Sequence, residues 1–211
     1  MTTALDLRVT NNYTRRLGAL RGRAGVILAT AWARLPAYDE ANVEQFIETT
    51  NPAITAGRTA VATLTAGYLN HFTGSRRLVT LEELDELDPD LLRQPFMTAW
   101  GALQRGDDYS AAIDLGASRA ASTGGEVVTF TARNAASVID RSEPSITGWS
   151  RVPSGNCCRF CADKAAVDWF TAETASQINH DNCHCSIVPI TRSSAPGRDI
   201  NAPRLQGLAD N

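Results

Sequence analysis

No cysteine occurs before Cys157 in this 211-residue chain, and lysine occurs once, at Lys164, among twenty basic residues. Nor does any apolar run reach the roughly eighteen residues that a membrane helix needs. The best stretch, 24–33, is broken by Gly25 and Thr30 and flanked by Arg23 and Arg34, which excludes a membrane span. The N-terminal residues carry Asp6 and show no apolar segment ahead of a small-residue cleavage site, so no secretory signal is read there. A protein made and kept in a cytosol is expected, and a reducing cytosol disfavours structural disulfides and leaves metal binding as the usual reason for clustered thiols. The net charge of −3 gives the whole chain no case for nucleic-acid binding. Internal repeats are also lacking.

What the chain does hold is a concentration of metal-ligand residues. All five cysteines and two of the three histidines fall within 150–190, spaced Cys158-x2-Cys161 and then His180-x2-Cys183-x-Cys185. A Cys-x2-Cys turn offers two thiolates to one ion, and a distant His/Cys pair completes a tetrahedron. Cys158 and Cys161 are the firmest ligands and His180 is the third. Cys183 is slightly favoured as the fourth, with Cys185 open, because two-residue alternation lets either face the metal. Cys157 reads as a buried neighbour and His184 as exposed.

The expected metal is zinc in a structural role. A catalytic zinc keeps three protein ligands, an open position and a nearby base, whereas ligands here are in surplus. Asp163, Asp168, Glu173 and Asp181 form neither an H-E-x-x-H nor an H-x-E…P-C-x-x-C arrangement. A Cys/His acyl-transfer pair fails too, since a thiolate held by the metal is not a free nucleophile. No enzyme is expected. A segment this short with few large apolar residues needs a staple, and zinc binding of order 10 kcal/mol in finger peptides would dominate its stability.

The rest of the chain reads as helices. Tyr13, Leu17, Leu20, Ala24, Ile27 and Ala31 recur at threes and fours and predict a first helix over 3–35, stopped by Pro36. Between them lie Arg8, Arg15, Arg16, Arg21, Arg23 and Arg34 against the single acid Asp6, a solvated face by default or a surface for phosphate or an acidic partner. Asp39 caps a second helix ending near Thr50, and Asn51-Pro52 starts a third that Gly74 ends. Thr80 with Glu83 is a capping box on a short turn within a connecting loop, and the acidic run 82–90 is exposed. A helix over 95–105 stops at Gly106, and Asp107 or Asp108 caps the next, with Gly124-Gly125 a break or kink before 126–141. In the cysteine-bearing part, a strand over 149–152, a helix over 162–169 and an antiparallel return strand over 183–190 are expected. The fold class is therefore mainly α: a helical region over 1–147, a small zinc-stapled α+β module over 148–190, and an extended or disordered tail over 191–211.

A strand ending Arg151-Val152-Pro153, then Cys158-x2-Cys161, then His180-x2-Cys183-x-Cys185-x3-Pro189 at the end of a helical chain resembles the phage Mu F-like minor head proteins. The likeness is to the branch in tailed phages of actinobacteria, and the arginine-for-lysine bias, a mark of GC-rich coding sequence, fits that source. It covers the C-terminal third in motif and the helical part in general character. Carried over are Cys158, Cys161, His180, Cys183, Cys185 and Pro189, while Asp181-Asn182 departs from the Pro-Asn or Pro-Gly of many relatives. The resemblance implies a virion structural protein that associates with the portal and major capsid proteins, enters the head during assembly in the host cytoplasm, and affects DNA packaging or ejection. Packaged DNA is a candidate contact of Arg8, Arg15, Arg16, Arg21 and Arg23. The alternative is a cytosolic zinc-dependent DNA-binding regulator, which needs a basic reading surface near the metal; only Arg151, Arg159 and Lys164 lie there against four acids.

Overall fold

The computed structural model describes residues 4–152, 159, 162–163, 171 and 186–191. Among these the chain is mainly helical, with α1 (Ala4–Ala33), α2 (Glu40–Thr73), α3 (Gln94–Gln104) and α4 (Tyr109–Ser142). Two short 3-10 turns, Leu81–Glu83 and Pro89–Leu92, join α2 to α3, and a two-stranded sheet follows α4, made of β1 (Ile146–Val152) and β2 (Ser186–Thr191). Contacts group the chain into two compact units. One takes Met1–Arg16, Thr63–Val79 and Ala135–Asn211, as far as these are described, and the other takes Leu17–Ala62 and Thr80–Asn134.

The second unit is built on an aromatic cluster. Trp32, at the end of α1, meets Tyr38 at 4.7 Å, Phe96 at 4.8 Å and Phe46 at 6.2 Å between ring centroids, the last two edge-on. Leu28, Val43, Ile54, Leu92 and Val127 close around these rings. Buried Trp32 and half-buried Trp100 both keep their N–H groups satisfied: Trp32 Nε1 donates to the Ile113 carbonyl at 3.2 Å and Trp100 Nε1 to the Tyr38 carbonyl at 2.8 Å.

Trp32 also sets the rotation of α1. The expected stripe places Ile27 inward, but Ile27 is 42% exposed, and Leu28 and Trp32 are buried at 1% each. The reason lies in α4. A Cβ on Gly25 would stand 2.8 Å from the Ala121 carbonyl oxygen, and one on Gly124 would stand 2.5 Å from the Gly25 nitrogen. The two backbones touch where neither has a side chain, which turns Gly25, Leu28 and Trp32 to the core.

Two expected breaks are absent. Helix α2 runs through Pro52, so the second and third expected helices are one. An internal proline costs about 3 kcal/mol through its missing N–H and its clash with the carbonyl four residues back. Here Val43, Phe46 and Thr50 on one side and Ile54, Val61 and Leu69 on the other hold one continuous buried row, and this packing outweighs the cost. Of the break or kink expected at Gly124-Gly125, the break is absent, because α4 is continuous from Tyr109 to Ser142. Gly124 provides the contact with α1, whereas a Cβ on Gly125 would meet nothing within 4 Å. The pair separates cleanly in an experiment. Gly124→Ala is expected to destabilise by about 2 kcal/mol through overpacking against backbone that cannot yield, and Gly125→Ala to stabilise by about 0.5–1 kcal/mol through helix propensity. Denaturant midpoints at unchanged slope measure both.

Short-range signals hold as expected. The Asn42 amide donates to Asp39 Oδ1 at 3.2 Å, and the Thr80 amide to Glu83 Oε2 at 2.9 Å in a complete capping box. The Ser110 amide donates to Asp108 Oδ2 at 3.0 Å. Gly74 and Gly106 adopt φ of 72° and 88°, the left-handed backbone that ends α2 and α3 at low steric cost. The connecting loop is tied down through Asp85, whose carbonyl accepts from Arg58 at 2.6 Å and whose carboxylate accepts from Asn134. Arg93 joins Glu40 and Glu44 of α2 to the start of α3.

Candidate functional site

The described end of the cysteine-bearing segment is the β1–β2 pair. It is antiparallel, with Trp149 opposite Pro189 and Val152 opposite Ser186, so residues 153–185 leave and re-enter the sheet at one point. The expected strand over 149–152 and the part of the return strand from Ser186 onward are present and pair antiparallel, and residues 183–185 lie outside the described residues. Pro189, carried by the family resemblance, is buried in β2 and offers the ladder no N–H, which a two-stranded sheet tolerates. Trp149 is buried, and its Nε1 donates to Asp140 Oδ1 at the end of α4 at 2.8 Å.

Tyrosine holds the other strand. Tyr68 of α2 donates its hydroxyl to the Ile187 carbonyl at 3.2 Å, and Thr10 Oγ1 lies 3.4 Å from the Tyr68 hydroxyl oxygen. Its ring stacks on Tyr13 at 4.1 Å and 10°, and the Tyr13 hydroxyl lies 3.2 Å from Thr65 Oγ1. Burial pushes the Tyr68 hydroxyl well above the ordinary phenol range, so it stays a donor through neutral and mildly alkaline pH. Because the folded pKa is the higher one, the stabilisation is complete below the unfolded value near pH 10 and is lost as pH rises through the folded value. Tyr68→Phe is expected to cost about 1–2 kcal/mol, to speed amide exchange in β2, and to remove this alkaline loss. Nothing in the sequence singles out Tyr68 beyond its place in an apolar row, where a tyrosine reads as core.

The five expected ligands, Cys158, Cys161, His180, Cys183 and Cys185, lie outside the described residues, as do Cys157, His184 and the tail beyond Thr191. Of the helix expected over 162–169, Ala162 and Asp163 are described and are helical. Among the described residues no group of three or more His, Cys, Asp or Glu is placed to hold a metal ion. The donor chemistry of the motif, thiolate with imidazole, suits zinc and does not suit magnesium or calcium.

The arginines of α1 divide into two sets. At 100° per residue, Arg8, Arg15, Arg16 and Arg23 fall on one side of the helix and all are exposed. Arg21 turns towards the side that carries Thr10, Leu17 and Leu28, and its Nε is buried, so it does not belong to the exposed basic face. Arg15 bonds Asn12 Oδ1 at 3.0 Å. Arg8, Arg16, Arg23 and, just past the helix end, Arg34 meet no acid among the described residues.

No helix among the described residues is long and apolar enough to cross a membrane. Comparison with curated proteins and with solved structures gives no match. A family model, that of the VG15 protein, matches residues 4–204, which takes in the four helices, the strand pair and the whole cysteine motif. The chain thus belongs to the VG15 protein family, a family of viral or phage gene proteins.

Proposed function

We propose that this chain is a minor head protein of the Mu F-like kind, built into the virion head beside the portal and major capsid proteins and acting in head assembly, DNA packaging or ejection. The observation that carries the reading is the element Cys158-x2-Cys161…His180-x2-Cys183-x-Cys185-x3-Pro189 in a chain that a viral or phage family matches nearly end to end. Its role is structural and not catalytic. Cys158, Cys161 and His180, with Cys183 or Cys185, hold a zinc ion that fixes the segment between β1 and β2. Any contact with packaged DNA falls to Arg8, Arg15, Arg16 and Arg23, while Arg21 is turned away from it.

The deciding experiment is quantitative mass spectrometry of banded virions and of procapsids. The chain is expected in both, at a fixed copy number relative to the portal. Its absence from particles, together with tight duplex binding of steep salt dependence by the purified chain, would sink this reading in favour of a regulator.

A further inference from the structure

Charge is segregated along this chain. Residues 7–38 hold six arginines and no acid, and residues 39–90 hold ten acids against three arginines. On the exposed side of α1, Arg16 and Arg23 stand two helical turns apart, roughly 10 Å along the axis, and neither meets an acid within the described residues. In the acidic span, Glu48 on α2 and Glu86 on the connecting loop are exposed and meet no cation among the described residues. Among the described residues, the charges left without an opposite partner thus include Arg16 and Arg23 on α1 and Glu48 and Glu86.

The basic face is not purely polar. Val26 is 66% exposed and Ile27 42% exposed, three and four positions after Arg23. Phosphates would satisfy the guanidinium groups and leave these side chains wet. A protein surface of opposite charge can pair the former and cover the latter.

We propose that the α1 face docks on the acidic span of a second copy of this chain, head to tail. The two surfaces differ, so the contact is heterologous and propagates into a ring or row instead of closing as a two-fold dimer. This goes beyond the minor-head reading and does not depend on it, since the purified chain alone is tested.

Sedimentation of the full chain reads it out. Above the monomer mass of 22.7 kDa, the mass is expected to rise with concentration in about 50 mM salt, and association to weaken at least about tenfold in about 500 mM salt. Arg16→Glu with Arg23→Glu, and separately Glu48→Arg with Glu86→Arg, are expected to be monomeric alone and to associate when mixed. Wild-type circular dichroism and melting certify each variant, and glutamine substitutions at the same positions, expected to weaken association, replace any that misfold. A wild-type chain that stays monomeric at low salt overturns the proposal. So does association that survives both charge reversals, or duplex DNA binding that Arg16→Glu with Arg23→Glu abolishes while self-association is absent.

Discussion

Trp32→Ala is expected to cost about 3–5 kcal/mol, the range for deleting a large buried aromatic, and so to consume much of the 5–15 kcal/mol that a domain has in total. The side chain is 1% exposed and touches Tyr38, Phe46 and Phe96, which come from the α1–α2 turn, α2 and α3. Removing it opens a cavity where three elements meet, and leaves the Ile113 carbonyl without its 3.2 Å donor. Collapse cannot fill that space, because α4 already lies on the ring through Gly116, where a Cβ would come within 2.2 Å of Trp32 Cζ2. Chemical denaturation followed by tyrosine and tryptophan emission measures the loss. A cost below about 1 kcal/mol, the size of a surface substitution, would mean that the cluster around Trp32 does not hold this unit together.

Removal of the proposed zinc is the second large effect. Binding of order 10 kcal/mol in finger-sized peptides is expected to be expressed in the span that carries the thiols. Cys158→Ser with Cys161→Ser, or chelation of the wild-type chain, should strip one zinc per chain and lower amide protection in β1 and β2. Amides around Leu28, Phe46 and Phe96 should stay protected, since the unit containing them holds no cysteine. Zinc should also leave as pH falls, because thiolate and imidazole must be deprotonated to bind. Single serine variants at Cys183 and Cys185, read by metal content per chain, identify the fourth ligand. A chain that contains no metal and melts unchanged after these substitutions would refute the zinc proposal.

Features of the fold that depend on a few neighbouring residues were legible beforehand. The Asp39 and Asp108 caps, the Thr80/Glu83 box, the terminations at Gly74 and Gly106, and the two strands all follow from local hydrogen bonding and backbone preference. What misled were residues whose local preference loses to distant packing. Pro52 and Gly124-Gly125 read as breaks because proline and glycine disfavour helix, yet burial on both sides of Pro52 and the backbone contact at Gly124 prevail. The rotation of α1 escaped for the same reason. Ile27 and Leu28 are equally apolar, and only Trp32 and the glycine contact with α4 decide which of them faces inward. The cysteine motif is read from spacing alone, and its residues lie outside the described part of the chain. Tyr68 was not legible, because its partner is a main-chain carbonyl 119 positions away.

The pairing of Val152 with Ser186 has an evolutionary consequence. Chain that departs and returns at one rung of a ladder can lengthen or shorten without moving the rung. The clamps at Tyr68 and Asp140 hold the strands from outside residues 153–185. Insertions between the two cysteine pairs are therefore expected to leave the paired rung and its two clamps in place.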